Sequence, residues 1–192
     1  MEAFLISTGI VTLAEIGDKT QLLALLLAAR FRQPIPIITG ILVATLVNHA
    51  LAGALGALVS SWLTPQTLKW VLGVSFLLMA GWTLVPDGSP DEEASRYSRL
   101  GVFSASLVAF FLAEMGDKTQ VTTVALAIRF QSMLAVVVGT TLGMMLANVP
   151  VVLAGERLAR RLPIRLVQRC AAVLFLVLGI SSLSGVADGL LG

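Results

Sequence analysis

The sequence predicts an all-α membrane protein, with six transmembrane helices arranged as two inverted-topology three-helix repeats. Three observations carry that expectation. Apolar residues make up 57% of the chain and charged ones 12%, about half the charged share of an ordinary soluble domain, so the chain is built for an apolar solvent. Runs of about 20 apolar residues, the length that spans a bilayer as a helix, recur six times. The chain also repeats itself, at one constant offset, across its midpoint.

The runs lie at Phe4–Ala29, Ile35–Leu63, Leu68–Val85, Leu100–Ile128, Met133–Leu153 and Leu166–Val186. Lipid offers the backbone no hydrogen bonds and the runs are too long for barrel strands, so each is expected to be helical. The first, second and fourth exceed the spanning length. They are expected to tilt, bend or break, with Gly17, Gly116 and the neighbouring Gly53 and Gly56 as the candidate points. Pro86–Arg99, which mixes Pro, Asp, Gly, Ser and charges, reads as the one true loop. It divides the chain into a first repeat over 1–85, a cytoplasmic linker over 86–99 and a second repeat over 100–192, both repeats forming one transmembrane domain. The single cysteine, Cys170, excludes an internal disulfide and a structural zinc site. Met1-Glu2-Ala3 has no basic stretch ahead of its apolar run, so the first segment is expected to be retained rather than cleaved.

Sliding one half over the other aligns Leu27 with Leu126, Ala28 with Ala127, Arg30-Phe31 with Arg129-Phe130, Gly40 with Gly139, Gly56 with Gly155 and Phe76-Leu77 with Phe175-Leu176. Duplication is the simplest account. Each half carries three spans, an odd number, so the second enters the membrane from the opposite side; such inverted repeats recur in secondary transporters, with the substrate site at the repeat interface. Alternate loops place Arg30, Arg32, Arg96, Arg99, Arg157, Arg160, Arg161, Arg165 and Arg169 on one side, against Lys69 and Arg129 on the other. The positive-inside rule makes the arginine-rich side cytoplasmic and puts both termini outside the cytoplasm.

The duplicated heptapeptides are Glu15-Ile16-Gly17-Asp18-Lys19-Thr20-Gln21 and Glu114-Met115-Gly116-Asp117-Lys118-Thr119-Gln120. Each sets two carboxylates and an ammonium inside an apolar run, where an isolated charge costs from a few to more than about ten kcal/mol. If the segments are helical, Glu15 and Asp18 stand one turn apart on one face with Lys19 beside them, and Glu114, Asp117 and Lys118 likewise. In antiparallel repeats the four carboxylates converge, and two lysines leave a formal charge of −2. A divalent cation, or two protons, would cancel it. Glu15, Asp18, Glu114 and Asp117 are therefore the candidate metal ligands. Lys19, Thr20, Gln21, Lys118, Thr119 and Gln120 are candidate secondary ligands or gating groups, and such an all-oxygen set suits magnesium, calcium or manganese rather than copper or zinc. Asn48 and His49, in the second run, either line the cavity, His49 adding a nitrogen ligand that favours manganese, or form an interhelical hydrogen bond. A purely structural role for the acids, as ion pairs with the lysines, is the bland alternative; it leaves the excess of acid over base unexplained.

Both heptapeptides match the ExGDK(T/S) signature, and the chain resembles the cation transporter family that includes MneA-like bacterial manganese exporters and the Golgi and chloroplast-envelope manganese/calcium transporters, within the calcium/cation antiporter superfamily. The resemblance covers the whole chain. It implies a secondary active transporter that exports a divalent cation, with Mn2+ first, from the cytoplasm of a bacterium across the inner membrane, with Glu15, Asp18, Glu114 and Asp117 as the ion-binding residues. Electrostatics points to protons as the counter-ion, since an empty site with uncompensated carboxylates is costly to bury. A calcium/proton antiporter is the nearest alternative; a cation channel and a membrane scaffold are others. No HExxH motif and no serine or cysteine nucleophile constellation supports an enzyme. No cofactor is expected, Mn2+ or Ca2+ being transported substrate. The expected partners are that ion, protons and the lipid bilayer, without nucleic acid, and exposed glycine-rich faces leave a homo-oligomer open.

Overall fold

The computed structural model describes residues 1–84, 101–154 and 164–184. The predicted linker at 86–99, Gly155 and most of the basic stretch from Arg157 lie outside the described residues. Those described form eight helices: α1 (Glu2–Glu15), α2 (Lys19–Phe31), α3 (Pro34–Trp62), α4 (Pro65–Trp82), α5 (Val102–Glu114), α6 (Lys118–Phe130), α7 (Met133–Ala154) and α8 (Ile164–Ser184). Two of them, α3 and α7, are each long and apolar enough to cross a bilayer alone. By contrast α1, α2, α5 and α6 have 13 or 14 residues each. At 1.5 Å per residue such a helix reaches about 20 Å, short of the roughly 30 Å hydrocarbon core.

The first and fourth apolar runs break, at the predicted glycines. Gly17 has φ +85° and Gly116 φ +76°, the left-handed region that a side chain resists, and the chain re-enters a helix two residues later. The second run does not break. There α3 passes unbroken through Gly53 and Gly56, which excludes a break among the three outcomes expected of that run; these glycines are used for close approach. A Cβ on Gly56 would come within 2.6 Å of the Val124 carbonyl oxygen of α6, and one on Gly53 within 2.8 Å of the Val137 side chain of α7.

Small residues let backbones meet where lipid supplies no hydrophobic driving force, and the halves use them reciprocally. Gly139 of α7 lies on Phe4 and Ser7 of α1, and Gly40 of α3 lies on Phe103 and Ser106 of α5. Each contact is the other shifted by the offset that aligns the heptapeptides. The duplicated Phe76 and Phe175, both buried, stack with ring centroids 6.4 Å apart and join α4 to α8. Helix α3 packs on α7 through the middle of the molecule. These contacts bring the two breaks together.

Candidate functional site

Each heptapeptide builds a break by the same local chemistry. Glu15 ends α1 and Glu114 ends α5. After the left-handed glycine, Asp18 caps α2 by accepting from the Lys19 backbone N–H at 2.8 Å, and Asp117 caps α6 from the Lys118 N–H at 2.7 Å. Carboxylates at helix N-termini satisfy donors that have no intrahelical partner. Gln21 then reaches back, its Oε1 accepting from the Gly17 N–H at 2.9 Å, and Gln120 accepts from the Gly116 N–H at 2.7 Å. This is a capping box displaced by one residue. The continuous helix that would put Glu15 and Asp18 on one face is therefore not formed: they end and begin different helices, because glycine and the Asp cap outcompete helix continuation.

The side chains then cross between the halves. Lys118 Nζ donates to Asp18 Oδ1 at 2.8 Å, both groups being buried, and Lys19 Nζ stands 3.5 Å from Asp117 Oδ2 with its side chain 30% exposed. Thr20 donates to Glu15 Oε2 at 2.7 Å, and Thr119 of the other half donates to Glu15 Oε1. Glu114 is 1% exposed yet neither of its oxygens has a hydrogen-bond partner. All four predicted acids are thus buried at the two breaks, and the Lys118–Asp18, Lys19–Asp117 and Thr119–Glu15 contacts cross between the halves there. Among the described residues no three acidic, histidine or cysteine side chains are clustered as a metal-coordinating set. In this arrangement Asp18 and Asp117 face the ammoniums of Lys118 and Lys19.

The secondary candidates divide. Thr20 and Thr119 are at the acids, whereas Gln21 and Gln120 serve the glycine backbones, Gln21 also donating from Nε2 to the Ala147 carbonyl at 3.0 Å. Asn48 bridges α3 to α5 by donating to the Phe111 carbonyl at 3.1 Å. His49 is buried with neither ring nitrogen hydrogen-bonded. The interhelical hydrogen bond expected for this pair belongs to Asn48. The cross-half reach of the lysines and of Thr119 was missed, since sequence spacing carries no sign of it. The capping role of Asp18 and Gln21 did have a signal: an N-cap residue followed three positions later by Gln.

The family described as divalent cation/proton antiporter GDT1 matches this chain over residues 3–91 and again over 102–189. The chain belongs to the GDT1 family. It is a membrane transporter chain, not an enzyme, and its two matched stretches are the two halves that carry the heptapeptides. A Vibrio cholerae protein provisionally named as a manganese exporter is 55% identical over 95% of this chain and 90% of its own length. GDT1-like protein 3 of Oryza sativa subsp. indica is 28% identical over 94% of this chain and 73% of its own length. GDT1-like protein 5 of Arabidopsis thaliana is 27% identical, covering 95% and 96%. No solved structure matches the chain.

Proposed function

We propose that this GDT1-family chain exports Mn2+ from the cytoplasm across a bacterial inner membrane in exchange for protons, with Glu15, Asp18, Glu114 and Asp117 as the ion site. One observation carries the reading: four buried carboxylates at two helix breaks, tied across the halves by Lys118 to Asp18 and by Thr119 to Glu15. Broken helices that meet inside a membrane bundle are where secondary transporters hold ions. In this reading 1–85 and 100–192 are inverted three-span repeats. Their support is the reciprocal Gly40 and Gly139 packing and the Phe76–Phe175 stack. The arginine distribution puts both termini outside the cytoplasm.

An entering dication displaces the ammoniums from Asp18 and Asp117 and cancels the formal charge of −2. The acids release it on the far side, and protons neutralise them for the return. Moving a cation out against an inside-negative potential costs about 2.3 kcal/mol per charge per 100 mV, so the cycle needs a driving ion. Manganese is preferred to calcium because of the relative that is 55% identical; the all-oxygen donor set suits both.

The test is Mn2+ flux in proteoliposomes. Acidifying the side that receives Mn2+ accelerates flux, because protons there compete for the carboxylates and draw the ion off. Flux indifferent to both proton and sodium gradients would overturn exchange. Calcium competing as strongly as manganese would move the assignment to calcium/proton exchange.

A further inference from the structure

Helices α4 and α8 pack antiparallel, and the offset that aligns the halves makes the two ends of their contact equivalent in sequence. One end is shut. A Cβ on Gly73 would overlap the Leu183 side chain, and one on Gly179 would stand 2.9 Å from that of Leu77. The Phe76–Phe175 stack, with ring centroids 6.4 Å apart, marks the middle. Beyond it the helices part: a Cβ on Gly81 would meet no atom within 4 Å, and a groove of about 510 Å³ runs between Leu77, Gly81 and Leu84 on one side and Arg169, Val173 and Leu176 on the other.

Three substitutions between the halves account for the opening. Leu84 is the counterpart of Leu183, but Ala172 stands where Gly73 receives that leucine, and a Cβ at that position leaves it no room. Gly81 replaces the bulk of Ile180, and Arg169 stands where the shut end has Trp70. Arg169 also borders a second apolar groove, of about 410 Å³, with Cys170, Val173 and Leu174. Among the described residues lining the two grooves it is the one charged side chain, and it is exposed. A cation within an apolar span is costly unless its stem lies along apolar surface and its head reaches an anion or water. Trp82, part-exposed at the same end of α4, is the residue type that settles at headgroup level.

We propose that the open end of the α4–α8 pair is a binding site for one anionic diacyl phospholipid, its phosphate on the Arg169 guanidinium and an acyl chain in each of the two grooves beside it. Charge complementarity decides the occupant. Apolar walls alone accept any lipid tail, but a guanidinium at the mouth of two apolar grooves meets a phosphate with paired N–H···O bonds, and basic pockets between membrane helices take anionic headgroups. A second copy of the chain seated there would bury the same arginine at a desolvation cost. No heptapeptide residue lines either groove, so the site needs the membrane setting and not the identity of the transported ion.

The experiment is native mass spectrometry of the full-length protein, delipidated in detergent and titrated with phosphatidylglycerol or with phosphatidylcholine of the same chains. One phosphatidylglycerol is expected to be retained about 10-fold more tightly than phosphatidylcholine, the factor carried by one charge-assisted hydrogen bond. Arg169→Gln abolishes the preference and Arg169→Lys keeps it. Gly81→Leu, whose side chain grows into open groove, weakens both lipids while thermal unfolding without lipid stays as in the wild type. Arg30→Gln, at an exposed arginine outside both grooves, leaves the preference intact. Equal retention of the two lipids, or a preference that survives Arg169→Gln, overturns the proposal. So does a folded Gly81→Leu protein that holds phosphatidylglycerol as the wild type does. A dimer that Gly81→Leu dissociates and phosphatidylglycerol does not would give the face to a second copy and overturn it too. If Gly81→Leu fails to fold, the Arg169 pair, which alters no packing between the helices, decides alone.

Discussion

Glu15 and Glu114 hold equivalent positions, at the C-terminal ends of α1 and α5, yet Glu15 takes a hydroxyl on each oxygen and Glu114 takes none. Lys118 and Lys19 are equally matched by sequence, and one is a buried partner at 2.8 Å while the other is a partly solvated neighbour at 3.5 Å. The backbone around them does not share this difference: both breaks have a left-handed glycine, an Asp cap and a Gln lock. Local sequence therefore makes two equal sites. Packing divides a limited set of hydroxyls and ammoniums unequally between them.

Four predictions test that contrast. The largest effect is on transport: Glu15→Gln and Glu114→Gln each lower Mn2+ flux at least about 100-fold, the order expected when an essential ligand contributing roughly 3 kcal/mol is lost. They part in stability. Glu15→Gln disturbs two buried hydrogen bonds and lowers unfolding free energy by about 1–3 kcal/mol, whereas Glu114→Gln, at a side chain without bonds, changes it by less; equal losses would contradict the asymmetry.

Second, Lys118→Met removes one partner of a buried pair and costs about 3–5 kcal/mol. Lys19→Met, at a partly exposed and more distant pair, costs about 1 kcal/mol or less after solvent screening. Thermal unfolding in one detergent measures both. Third, Gly40→Ala and Gly139→Ala force a methyl against a backbone oxygen at 2.8 and 2.6 Å, so each costs about 1–3 kcal/mol of overpacking, and the two losses agree to within about 1 kcal/mol because the contacts mirror each other. Fourth and smallest, Gly116→Ala places its methyl in open space and pays only the left-handed backbone, about 1–2 kcal/mol. A greater loss there would mean that the break carries strain beyond its φ.

The amino-acid sequence by itself determined the membrane class and the internal duplication, and it marked the acids set inside apolar runs and the glycines at which the first and fourth runs break. Composition, self-similarity, a charge inside an apolar run and a glycine before a capping Asp are all local properties of the chain. It left open what local signals leave degenerate. Gly53 and Gly56 read like Gly17 and Gly116, but α3 continues through them because they meet α7 and α6 across the bundle. Asn48 and His49 read alike as cavity-lining groups or as partners in an interhelical hydrogen bond, and the structure gives that bond to Asn48, on the Phe111 carbonyl, and none to His49. Only the tertiary structure decided which lysine is buried and which glutamate holds both threonines. A duplicated sequence specifies both members of each pair alike, and choosing between them requires contacts between residues about a hundred positions apart.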